Sequence, residues 1–144
     1  MEEKQQEVMY QLSFFEQQMN NLNQQLDAIE KAIVEMTSLK KGMDELKGQK
    51  GEEILAHLGK GIYVKAELIS EEFLVDIGNK SFVKKNIETT KELINEQIEK
   101  LGGVKQEIKT NLDELNKEIL KMIDEAQHNA EVEKNNESEE KKNN

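Results

Sequence analysis

Residues 53–86 read EILAHLGKGIYVKAELISEEFLVDIGNKSFVKKN, and they are the only stretch of the 144-residue chain with strand texture. Apolar and polar residues alternate there with a period of two. Ile62, Val64, Ala66 and Leu68 share one side, and Tyr63, Lys65 and Glu67 the other. Phe73, Val75 and Ile77 repeat the alternation around Leu74 and Asp76. Gly59-Lys60-Gly61 and Gly78-Asn79-Lys80 supply residues that tolerate positive φ, so each reads as a tight turn. Four strands are expected, near 53–58, 62–69, 73–77 and 81–86. They pair as two β-hairpins joined by Ser70-Glu71-Glu72.

Outward from this block the apolar period changes to 3.5. On the N-terminal side Val8, Leu12, Phe15, Met19, Leu22, Leu26, Ile29, Ile33 and Met36 step by four and three without a break. That is the heptad seam of a coiled coil. The seam resumes at Leu39, Met43 and Leu46, and two successive steps of three there predict local overwinding. Gly42, Gly48 and Gly51 end the helix near Lys47. On the C-terminal side the seam is Ile87, Ile94, Ile98, Leu101, Ile108, Leu112, Leu115, Ile119, Met122 and Ala126. Strict spacing adds Lys91 and Lys105, with Val104 as the alternative to Lys105. Gly102-Gly103 interrupts this helix at a cost of about 1 kcal/mol per Gly, and reads as a bend or a close approach. Met1–Glu7 is polar and expected to fray. EVEKNNESEEKKNN, residues 131–144, is too polar to order itself.

The lengths decide the architecture. Helices over 8–47 and 87–127 are each ~60 Å long and fold back as an antiparallel pair. Both chain ends then meet at the far tip of that pair. The fold class is α+β: one domain over 1–144, a long coiled-coil hairpin of two helices with two β-hairpins at its centre. Hairpins this small can neither bury their faces nor satisfy their edges alone. Ile62, Val64, Ala66, Leu68, Phe73, Val75, Ile77 and Phe82 are therefore expected to form an interface with other chains.

Composition narrows the function to binding. Only 35% of residues are apolar and 35% are charged, which suits a coil better than a large core. There is no Pro to break long helices and no Cys for a disulfide, thiol nucleophile or thiolate site. The net charge is −10 and all 20 basic residues are Lys, a balance that opposes nucleic acid and anionic membrane as partners. No signal-peptide core or spanning run is present, so a cytoplasmic location is the default. His57 and His128 lie far apart in this layout and suggest no metal site. Glu52-Glu53 and Glu71-Glu72 read as solvated turn charges, and Gly59-Lys60-Gly61 is too short for a phosphate loop. Neither catalysis nor a cofactor is expected.

The binding surface is expected at the tip. Val8, Leu12 and Phe15 belong to the seam, but Met9, Tyr10 and Phe14 fall outside it. Leu120, Met122 and Ile123 lie near them across the pair. A two-stranded coil cannot bury all nine, and exposed, partly Met-based apolar surface suits loose binding of varied partners.

The order coil, two hairpins, coil, with LGKGIYVKAEL at 58–68 and FLVDIGNKSFVKKNIE at 73–88, resembles an archaeal α-class prefoldin subunit. The resemblance covers Val8 to about Ala126, and the two hairpins carry it, because β-class subunits have one. It implies an ATP-independent holdase chaperone whose hairpins join those of other subunits in an oligomeric β-barrel platform. Coil tips would capture non-native client proteins and deliver them to a chaperonin. The partner subunits would be copies of itself or β-class chains. An α-like archaeal paralogue, γ-prefoldin, polymerises instead, so the alternative is a structural, filament-forming protein assembled through its β-hairpins.

Overall fold

The computed structural model describes residues 2–142. Its elements are α1 (Glu2–Leu46), β1 (Glu53–Gly59), β2 (Ile62–Glu67), β3 (Phe73–Gly78), β4 (Ser81–Lys85) and α2 (Ile87–Lys142). Two long helices thus flank two separate antiparallel hairpins, β1–β2 and β3–β4. The chain divides into two compact units, one made of residues 1–29 and 104–144, the other of residues 30–103.

In the first unit the helices hold each other through one stripe. Val8, Leu12, Phe15, Met19, Leu22, Leu26 and Ile29 of α1 are half-buried, as are Leu112, Leu115, Ile119, Met122 and Ala126 of α2. Ile108 alone among the described residues of this unit is a buried apolar side chain. Leu22 lines a cleft with Leu115, and Val8 lines another with Ala126, so the numbers rise on one helix as they fall on the other. This is the burial expected of a two-stranded coil, which covers a seam and leaves the rest wet.

The second unit carries the better core. Met43, Ile87 and Ile94 are buried, with Thr90 beside them. Asn86 caps α2: its Oδ1 accepts the Thr89 N–H at 2.8 Å, and its carbonyl accepts the Thr90 hydroxyl at 2.7 Å. Gly48, at φ +79°, closes α1, and its N–H donates to the Glu71 carboxylate between the hairpins. The Gly51 N–H donates to the Leu68 carbonyl at 2.7 Å, which extends the first hairpin past β2.

One seam expectation changes, at Leu39, while strict spacing holds at Lys105 and Lys91. Leu39 is 54% exposed while Lys40 is half-buried, so the seam runs Met36, Lys40, Met43 and Leu46, and the two successive steps of three fall in the last turns of α1. Lys105 is half-buried and Val104 exposed, so strict spacing prevails there as well. Lys91 too sits in the seam. A lysine fits because its methylene stem covers apolar surface while the ammonium reaches the edge.

Two local expectations also change. The helix runs unbroken through Gly102-Gly103, and a Cβ at either would meet nothing within 4 Å, so no close approach explains them. The polar tail expected from Glu131 is helical to Lys142. It contains neither Gly nor Pro, Glu137 and Lys141 stand four apart, and Lys141 and Lys142 complement the dipole at the helix end. Its last two residues, and Met1 of the segment expected to fray, lie outside the described residues.

The hairpin turns follow from their sequences. Lys60-Gly61 and Asn79-Lys80 are two-residue turns with φ of 49°, 78°, 52° and 60°, the all-positive pattern of a type I′ turn. Before each turn the register slips, leaving Leu58 and Ile77 as extra residues ahead of Gly59 and Gly78. Each slip is a β-bulge, which breaks the simple alternation assumed from period two.

Candidate functional site

In the first unit, the start of α1 and the C-terminal part of α2 present apolar side chains that the seam does not cover. Met9 is 71% exposed, Tyr10 77% and Phe14 54%; across the pair Leu120 is 59% exposed and Ile123 39%. Val8, Leu12, Phe15 and Met122 are half-buried beneath them. The cause is spacing. Met9, Tyr10 and Phe14 occupy helix positions beside the seam, so no partner helix reaches them.

Two recesses result. Tyr10, Phe14, Phe15 and Met122 line an aromatic cleft of about 400 Å³, with the Phe14 and Phe15 rings 6.2 Å apart and tilted by 60°. Val8, Met9, Ala126 and Ala130 line a notch of about 310 Å³, bordered by Lys4 and Glu133. Six of the nine residues expected at this surface therefore line a recess; Leu12, Leu120 and Ile123 line neither. Ala130 was missed because the seam was ended at Ala126. The four-residue step from Ala126 is the signal that would have found it.

The hairpins form the second candidate surface, in the other unit. Ile54, Ala56, Val64 and Ala66 share one face of the first hairpin, while Leu55 and Tyr63 lie on the other. On the second hairpin Phe73, Val75 and Val83 share a face, and Leu74 and Phe82 the opposite one. Phe82 pairs with Asp76, so it lies on the face opposite Phe73 and Val75. Ile77, displaced by its bulge, is 62% exposed. Leu55, Leu58, Ile62, Leu74 and Phe82 are each exposed by more than half. Apolar surface on both faces of two free-standing hairpins is unusual for a solitary chain. Met36, Leu39 and Met43 of α1 and Leu93 and Ile94 of α2 form a groove of about 730 Å³ with strand β3.

Charges tie the helices together beside these hairpins. The Lys91 ammonium meets Asp44 at 2.6 Å, and Lys47 meets Glu88 at 2.9 Å. The hydrogen bond from Lys91 holds the Asp44 carboxyl below its usual range, and that from Lys47 does the same for Glu88. The hydrogen bond to Glu88 raises Lys47 in turn. His57 lies against Tyr63 with ring centroids 4.9 Å apart. No described helix is long and apolar enough to cross a membrane.

Comparison with known proteins identifies the class that this arrangement defines. The model of the prefoldin subunit family matches residues 15–131. The prefoldin alpha subunit of Methanobrevibacter smithii is 25% identical over 131 residues, which span 90% of each chain. That of a Methanococcus maripaludis strain is 32% identical over 102 residues, 60% of this chain and 69% of the relative. A cryo-electron microscopy structure of filamentous PFD from Methanocaldococcus jannaschii superposes with a TM-score of 0.70 at 18% identity, over 78% of this chain and 95% of that one. The chain belongs to the prefoldin family of chaperone subunits.

Proposed function

We propose that this protein is an ATP-independent holdase subunit that captures unfolded proteins on the apolar surface around Met9, Tyr10 and Phe14. One observation carries the reading: large apolar side chains stand open on a coil that has no structural use for them. A recess lined by rings and Met accepts side chains of many shapes, because dispersion and desolvation are not directional. Such capture is weak at any one site. Several copies on one assembly raise the effective concentration and make it useful.

The hairpins would supply that assembly, by adding copies of this chain or other prefoldin subunits through their exposed faces and edges. Delivery to a chaperonin and a cytoplasmic setting extend the proposal from the family likeness. The filament-forming alternative draws support from the likeness to a filamentous PFD. Both readings use the same hairpins, and only the capture reading uses Tyr10 and Phe14.

The test is removal of residues 1–15. Suppression of aggregation of a thermally unfolded client should fall to near background, while size-exclusion elution still reports assembly. Full suppression by the truncated chain would refute the capture reading.

A further inference from the structure

We infer that the capture surface selects unfolded segments whose aliphatic or aromatic side chains are flanked by Lys or Arg, and rejects acidic ones. The inference rests on the holdase reading and adds a substrate class to it. Residues 2–16 of α1 carry four carboxylates and one lysine, and residues 118–133 of α2 carry five carboxylates and one lysine. These two stretches bear a net −7 of the whole chain's −10, and between them lie the aromatic cleft and the alanine-floored notch.

The nine carboxylates are those of Glu2, Glu3, Glu7, Glu16, Glu118, Asp124, Glu125, Glu131 and Glu133. None is held in an ion pair with another described residue. Their field is therefore offered outward. In the other unit three acids, Asp44, Glu53 and Glu88, each meet a lysine. Residues 30–103 carry only net −2.

An apolar recess gives affinity without much choice, whereas a surrounding field of one sign steers and discriminates. A segment with Lys or Arg beside its apolar residues gains attraction as its core seats. An acidic segment of equal hydropathy meets repulsion, and specificity is the difference between the two. The same field keeps the exposed apolar ends of different copies from adhering to one another, since like-charged patches repel.

The test uses the full chain and three short peptides with one shared apolar core and a neutral fluorophore, flanked by Lys, Ser or Glu. Anisotropy titrations are run at ~0.05 M and ~0.5 M salt, where screening lengths differ about threefold. The Lys-flanked peptide should bind at least about tenfold more tightly than the Glu-flanked one at low salt, and within about twofold at high salt. A chain carrying Glu7→Lys, Glu125→Lys and Glu133→Lys leaves the two stretches at net −1 and should bind the three peptides with similar affinity. One carrying Met9→Ser, Tyr10→Ser and Phe14→Ser should lose all three peptides. Equal binding of the three at low salt would overturn the selectivity and leave the capture reading intact. Binding of none would end both. Undiminished Lys-peptide binding by the serine-substituted chain would show that general acidity, and not this surface, makes the choice.

Discussion

The two units of this chain are nearly equal in length and are built from the same two helices, yet they divide the physical work unequally. Residues 30–103 hold three of the four buried apolar side chains among the described residues, the Lys91–Asp44 and Lys47–Glu88 ion pairs between the helices, and a net charge of −2. Residues 1–29 with 104–144 hold one buried apolar side chain, a half-buried seam, uncovered aromatic residues and a net −8. The first pattern is that of a part whose geometry must be fixed. The second is that of a surface kept wet, charged and adaptable. The difference teaches that long coils need not be uniform: the same heptad can be reinforced beside the hairpins and left open near the chain ends.

Substitution at a hairpin face should have the largest effect on this comparison. Val75→Lys places an ammonium on the apolar face shared with Phe73 and Val83. Burying an unpaired charge costs several kcal/mol, so the variant should elute as dissociated chains that keep their helical circular dichroism. Unchanged elution would mean that this face stays open in the assembly. The glycines come next. Gly102→Ala and Gly103→Ala each add a methyl group to a regular helix with open space around it, and should stabilise by about 1 kcal/mol. Thermal unfolding should shift up by several degrees, and a downward shift would show that the pair is needed for something other than helix.

Acid should have the smallest effect, confined to the hairpin-bearing unit. Asp44 and Glu88 have lowered folded-state values, so their stabilisation is present above the ordinary carboxylate range and is lost as pH falls below that range and through the lowered values. Lys47 is raised, so its part is present at neutral pH and is lost only in strong base. All these groups but Lys91 are largely exposed, and solvent screening keeps the change small. Urea melts at pH 3.5 and 7 should differ less for a chain carrying Lys47→Gln and Lys91→Gln than for the native one. An identical pH dependence in both would remove these pairs from the account.

Much of the fold was legible because its determinants are periodic or local. The seam from Val8 to Met36 needs only a count of steps, and Lys60-Gly61 and Asn79-Lys80 signal their turns by residue type. What escaped was whatever depends on register or on competition between neighbours. The bulges at Leu58 and Ile77 break the strict period of two. Lys40 displaced Leu39 from the seam because helical phase outweighs one side chain's hydropathy. The last turns of α2 escaped because composition argues against a buried core, and a solvated helix needs none. At the candidate capture surface the apolar residues were readable singly, but their sorting into two recesses required both helices, and the ring of free acids required the ion pairs to be located first.

The central claim is that capture and assembly belong to different units, and the chain's two tyrosines offer a direct test. Tyr10 is 77% exposed in one unit and Tyr63 is 58% exposed in the other. A photo-crosslinking residue is placed at one position or the other, and the assembled protein is irradiated with an unfolded client. Position 10 should yield adducts with the client, and position 63 adducts with a neighbouring subunit. Client adducts from position 63 with none from position 10 would contradict the account.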